Sequence, residues 1–124
     1  MKQILLVEDQ PLVRKAVRGA LEDAGFAVTE AADGEEGLTA ARRAAYDLAI
    51  VDIWMPRVDG ISFLKEVRTI HADLPVIIIS GGGPSAPLEV KAHLAQAHGA
   101  QEVLFKPFED EELLAAVGRV VPGV

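Results

Sequence analysis

The sequence contains no cysteine, which removes disulfides and thiolate metal sites from consideration. It also lacks a long apolar run. The first apolar stretch, Ile4 to Val7, is four residues, too short for a signal peptide or a membrane span. Positive charge is in deficit: 12 Lys and Arg face 19 Asp and Glu, giving a net charge of −7. That balance disfavours non-specific binding to nucleic acid or to an anionic membrane surface. No internal repeat, low-complexity tract or linker stands out. The three glycines at 81–83 are no dinucleotide fingerprint, because G-x-G-x-x-G and its placement after the first strand are both missing. His71, His93 and His98 share no metal spacing with a carboxylate. They read as surface or helix-end residues.

What remains is an ordinary globular composition, 50% hydrophobic and 25% charged over 124 residues, enough for one domain with a real core. Continuous apolar runs at Ile4–Val7, Leu48–Val51 and Val76–Ile79 predict parallel strands covered on both faces. Phe26–Ala31 and Val103–Phe105 are weaker strand candidates. Helical patterns separate them. The first carries Leu12, Val13, Ala16, Val17, Ala20, Leu21 and Ala24 on one stripe, with Pro11 at its start and Gly25 past its end. The second runs from about Gly34 to Ala45. The third runs from about Val58 to Ile70, with Ile61, Leu64 and Val67 inward. A fourth lies within Leu88–His98 before Gly99. The fifth carries Leu113, Leu114, Val117, Val120 and Val121. Five β-then-α units predict an α/β fold, a doubly wound parallel sheet with helices on both faces. The last residues, VVPGV, follow the fifth helix, so a single domain over 1–124, soluble and cytoplasmic, is expected.

The informative polar residues follow strands. Glu8 and Asp9 follow the first, Asp52 the third, Ser80 the fourth and Lys106 the fifth. In a doubly wound sheet, ligands bind beyond the carboxyl ends of the strands. Three acids, a hydroxyl and a lysine would meet there. Two carboxylates about 5 Å apart repel by roughly 3 kcal/mol at an effective dielectric near 20, so a cation among them is favoured. Oxygen ligands without His or Cys favour Mg²⁺. A carboxylate beside Mg²⁺, with a lysine and a hydroxyl nearby, suits phosphoryl chemistry on Asp. Asp33 and Asp59, each before a glycine, read as turn or helix-start residues. The acidic run Glu109–Glu112 suits a helix N-terminus.

LLVEDQ at 5–10, AADGEEGL at 31–38, DLAIVDIWMPRVDG at 47–60, PVIIISG at 75–81 and KPF at 106–108 together resemble the receiver domain of two-component response regulators, including the single-domain chemotaxis type. The likeness runs over essentially the whole chain. It implies a flavodoxin-like sheet of order 2-1-3-4-5. It implies Asp52 as phosphoacceptor. Mg²⁺ would be held by Glu8, Asp9, Asp52 and the backbone carbonyl of Trp54, with Asp9 rather than Glu8 as the direct ligand of the pair. Ser80, Gly81 and Lys106 match the switch and phosphate-binding positions. The implied partners are a sensor histidine kinase or phosphotransfer protein and a downstream effector or missing output domain, with no direct contact to nucleic acid or membrane. Output would pass through the face made by the fourth helix, fifth strand and fifth helix.

Three features depart from the family pattern. Val103 occupies the position, three before the lysine, where an aromatic switch residue is usual, so the aromatic swing is expected to be absent or altered. The segment between Ser80 and Lys106 is several residues longer than usual, with the excess placed in 81–90. Trp54, two residues after Asp52, is bulky enough to shield a phosphoryl group from water. Alternative readings are a receiver cut from a longer regulator with a DNA-binding or enzymatic output domain, an Asp-dependent phosphohydrolase, and a flavin module of the same topology.

Overall fold

Runs of Ile, Leu and Val with no polar break can satisfy their backbone only by pairing, and can bury both faces only between two layers. The computed structural model, which describes residues 1–53, 59–80 and 99–121, has that arrangement. Strands β1 (Gln3–Val7), β2 (Ala27–Ala31), β3 (Leu48–Asp52), β4 (Val76–Ser80) and β5 (Glu102–Phe105) form one sheet of order β2-β1-β3-β4-β5. Every neighbouring pair is parallel. Among the described residues the helices are α1 (Pro11–Asp23), α2 (Gly34–Arg43), α3 (Gly60–Ile70) and a final helix, Asp110–Val120.

Side chains alternate across the sheet. Leu5, Val7, Ala49, Val51 and Ile78 pack against Leu38 and Ala41 of α2 and Phe63, Leu64 and Val67 of α3. Ile4, Leu6, Leu48, Ile50, Ile77 and Ile79 pack against Val17, Ala20 and Leu21 of α1 and Leu113, Ala116 and Val117 of the final helix. Edge strand β2 ends on Ala31.

The punctuation follows the sequence. Pro11 opens α1, and Gly25, at φ +96°, lies just past its end. The carboxylates of Asp33 and Asp59 cap α2 and α3, each accepting an amide at 2.8 Å, from Glu36 and Ser62. Asp110, Glu111 and Glu112 form the acidic first turn of the final helix. His71 sits at the end of α3, its Nε2 2.7 Å from the Ala41 carbonyl.

Some expectations need correcting. Leu12, Ala16 and Ala24 are exposed rather than part of the buried stripe of α1. That helix meets the sheet mainly through Val17, Ala20 and Leu21, with Val13 only partly buried against the same cluster. In α3, Leu64 and Val67 are fully buried as expected and Phe63 joins them, while Ile61 is only half-buried. Asp52 and Ser80 are the last residues of their strands rather than the first beyond them. The expected fourth helix, the 81–90 loop, Val58, His93 and His98 lie outside the described residues.

Candidate functional site

Among the described residues, the buried polar side chains are Glu8, Asp52 and Ser80, at 0%, 2% and 0% exposure. All three stand at the carboxyl edge of the sheet. Burying a charge is costly unless it is paired, so their presence there needs a cause. Register supplies the placement. Asp52 pairs with Ile79, Ser80 with Phe105, and Val7, just before Glu8, with Val51. The sheet thus brings residues far apart in sequence to one rim.

Glu8 is held at its backbone and at one carboxylate oxygen by hydrogen bonds, and at the other by an ion pair. Its amide donates to the Ala31 carbonyl at 3.0 Å. Its Oε2 accepts from the Gln10 amide at 3.1 Å, and its backbone carbonyl accepts from Arg14 Nη1 at 2.8 Å. The Lys106 ammonium lies 2.9 Å from Glu8 Oε1 and 3.6 Å from Asp52 Oδ2. Asp9 Oδ1 and Ser80 Oγ are buried without a hydrogen-bond partner among the described residues, and Glu8 Oε1 meets only the Lys106 ammonium. Ligand oxygens of Glu8, Asp9 and Asp52 lie within 4.8 Å of one another.

Among the described residues the donor set is three carboxylates, all hard oxygens, against one ammonium, and it includes a buried oxygen with no hydrogen bond to accept. Those residues fit a divalent cation of the Mg²⁺ type better than a thiophilic or imidazole-seeking metal.

The structure therefore gathers Glu8, Asp9, Asp52, Ser80 and Lys106 at one rim. Trp54 and Gly81 lie outside the described residues. Val103 pairs with Ile78 and packs half-buried against the α2–α3 side of the core. A groove of about 660 Å³ opens beside Asp52 and Lys106, between Leu12, Val13 and Ala16 of α1 and Phe108.

Two residues escaped the sequence reading. Arg14 reads as one more solvent-facing helix charge, yet it reaches back to the acidic turn. Gly60 reads as an ordinary turn glycine. A Cβ there would meet the Ile53 Cα at 2.5 Å and the Asp52 carbonyl oxygen at 2.8 Å, so only glycine lets α3 start this close to the end of β3. A glycine immediately after a capping acid is the one signal that points to Gly60.

Comparison with known proteins agrees with this geometry. The family model for the response regulator receiver domain matches residues 4–118. The transcriptional regulatory protein DltR of Streptococcus agalactiae is 34% identical over 115 residues, covering 93% of this chain and 50% of that protein. The C4-dicarboxylate transport transcriptional regulatory protein DctD of Pseudomonas aeruginosa is 38% identical over 119 residues, 96% of this chain and 25% of that one. The chain thus spans half or less of the length of these curated relatives. Among solved structures, the chemotaxis response regulator CheY4 of Vibrio cholerae superposes with a TM-score of 0.87 at 36% identity, covering 97% of this chain and 98% of that one. No helix among the described residues is long and apolar enough to cross a membrane. By sequence and by sheet order, this protein belongs to the receiver domains of two-component response regulators.

Proposed function

We propose that residues 1–124 form a receiver domain that accepts a phosphoryl group on Asp52 from a phosphohistidine of a sensor histidine kinase or phosphotransfer protein, in the cytoplasm. The observation carrying this reading is the buried carboxylate cluster at the sheet rim, with Lys106 against it and Asp9 Oδ1 without a hydrogen-bond partner among the described residues. Asp9 and Asp52, with Glu8 and the Trp54 carbonyl, would hold Mg²⁺, which when bound offsets charge on the transferring group. An oxygen of Asp52 attacks phosphorus as the P–N bond to the donor imidazole breaks, and that electron pair stays on the imidazole nitrogen. Lys106 is placed to pair with a phosphoryl oxygen and Ser80 to donate its hydroxyl to one, with Gly81 beside it in sequence. The domain turns over only its own phosphoryl group. Water attack on the aspartyl phosphate resets it, and Trp54 shields against that attack.

Phosphorylation then changes how a downstream effector or output domain is bound, through the face that includes β5 and the final helix. The test is intact mass after incubation with a small phosphoryl donor. One phosphate should add in Mg²⁺, and none in EDTA or in Asp52→Asn; equal addition to Asp52→Asn would reject Asp52 as acceptor.

A second reading keeps the same site. The chain matches half of DltR and a quarter of DctD, which supports a receiver that works joined to an output domain. The length of the encoded reading frame decides between them.

A further inference from the structure

We propose that Arg14 is a positioning residue that sets the direction of the Asp9 carboxylate, and that Glu30 in β2 holds Arg14 for that task. The inference rests on the Mg²⁺-binding reading of the acidic cluster.

Arg14 lies in the first turns of α1, and its side chain is only 20% exposed. Its Nη1 donates to the Glu8 carbonyl at 2.8 Å, while its Nε lies 3.3 Å from Glu30 Oε1. One planar guanidinium therefore spans β2, α1 and the turn after β1. The carbonyl it grips belongs to the peptide unit joining Glu8 to Asp9. That unit is planar, so fixing its oxygen, together with the Glu8 amide bonded to Ala31, fixes the Asp9 N–Cα bond from which the carboxylate side chain projects. Asp9 Oδ1 is buried and without a hydrogen-bond partner among the described residues, so among them its aim comes from its backbone. A lysine could not reproduce this, because a single ammonium lacks the fixed fork that serves two acceptors at once.

The alternative, that Arg14 is simply a nearby positive charge, predicts the opposite sign. A cation beside the acids repels Mg²⁺, so deleting it would tighten Mg²⁺ binding. Losing a positioning bond weakens it, commonly by tenfold or more for partners of metal ligands.

The experiment is calorimetric titration of Mg²⁺ into the whole chain as parent, Asp9→Asn, Arg14→Met, Arg14→Lys, Glu30→Gln and Arg18→Gln, with thermal unfolding in EDTA alongside. Asp9→Asn tests the underlying reading. If it binds Mg²⁺ like the parent, the metal assignment fails and Arg14 is not the cause. With that control passed, Arg14→Met and Arg14→Lys should each weaken Mg²⁺ by about tenfold, and Glu30→Gln by a smaller factor. Arg18→Gln, which loses its own contacts with Glu22 and Glu30 but leaves Arg14 in place, should bind as the parent does. Unchanged or tighter binding in Arg14→Met, or parental binding in Arg14→Lys, overturns the proposal. Should Arg14→Met fail to fold, Glu30→Gln carries the decision, with unchanged affinity overturning it.

Discussion

Lys106 Nζ stands 2.9 Å from Oε1 of Glu8, a carboxylate with no exposed surface. The lysine from the end of β5 is thus the counter-ion of the acid from the end of β1. Removing one partner of a buried pair leaves an uncompensated charge. Lys106→Met should therefore lower the unfolding free energy by about 3 kcal/mol in EDTA. Saturating Mg²⁺ should return much of that loss, because the bound cation supplies the counter-charge the variant lacks and so binds the variant more tightly than the parent. Denaturant unfolding in EDTA and in Mg²⁺ checks this. An equal loss in both would show that the lysine does not serve the acidic cluster.

Gly60 offers a prediction about packing under the site. Its missing Cβ leaves room for backbone at Ile53 and Asp52, which cannot swing aside as a side chain could. Gly60→Ala should cost about 3 kcal/mol and weaken Mg²⁺ binding, since the end of β3 must shift. Gly19, within α1, has nothing within 4 Å of its Cβ position. Gly19→Ala should stabilise by up to about 1 kcal/mol. Chemical denaturation of both variants gives the comparison, and equal effects would contradict it.

At β5, Val103 faces Ile78 and contacts the core, whereas Phe105 faces Ser80 and is 42% exposed. An aromatic is therefore present beside the proposed switch hydroxyl, but not at the usual position. Structures without phosphate and with a phosphoryl mimic should show Phe105 on the same side in both. An inward swing into the space beside Ser80 would contradict the expected loss of the aromatic switch.

Trp54 follows Asp52 by two residues in the sequence. If its indole excludes water, Trp54→Asn should speed loss of the phosphoryl group by about threefold or more, on the scale of 1 kcal/mol in the barrier. The decay of phosphorylated protein after removal of the donor measures this. An unchanged rate removes the shielding role.

Much of this architecture was legible because strands and caps announce themselves locally. Unbroken apolar runs marked β1, β3 and β4, and Asp33 and Asp59 marked helix starts through an acid before a glycine. Five of the site residues were legible because each stands at the end of a run. Arg14 was not, because its bond is to a backbone carbonyl, which leaves no trace in residue type. Leu12 and Ala16 misled for a related reason. Helical periodicity tells which residues share a face, but not how far along the helix the sheet reaches.

The central claim is that Asp52 accepts a phosphoryl group with Mg²⁺ held beside it. The lone tryptophan, two residues away in sequence, allows a direct measurement: Mg²⁺ titration followed by beryllofluoride, read by Trp54 fluorescence, in the parent and in Asp52→Asn. The account predicts a saturable change with Mg²⁺ and a further Mg²⁺-dependent change with beryllofluoride in the parent, the second lost in Asp52→Asn. An Asp52→Asn protein that responds to both additions as the parent does would contradict it.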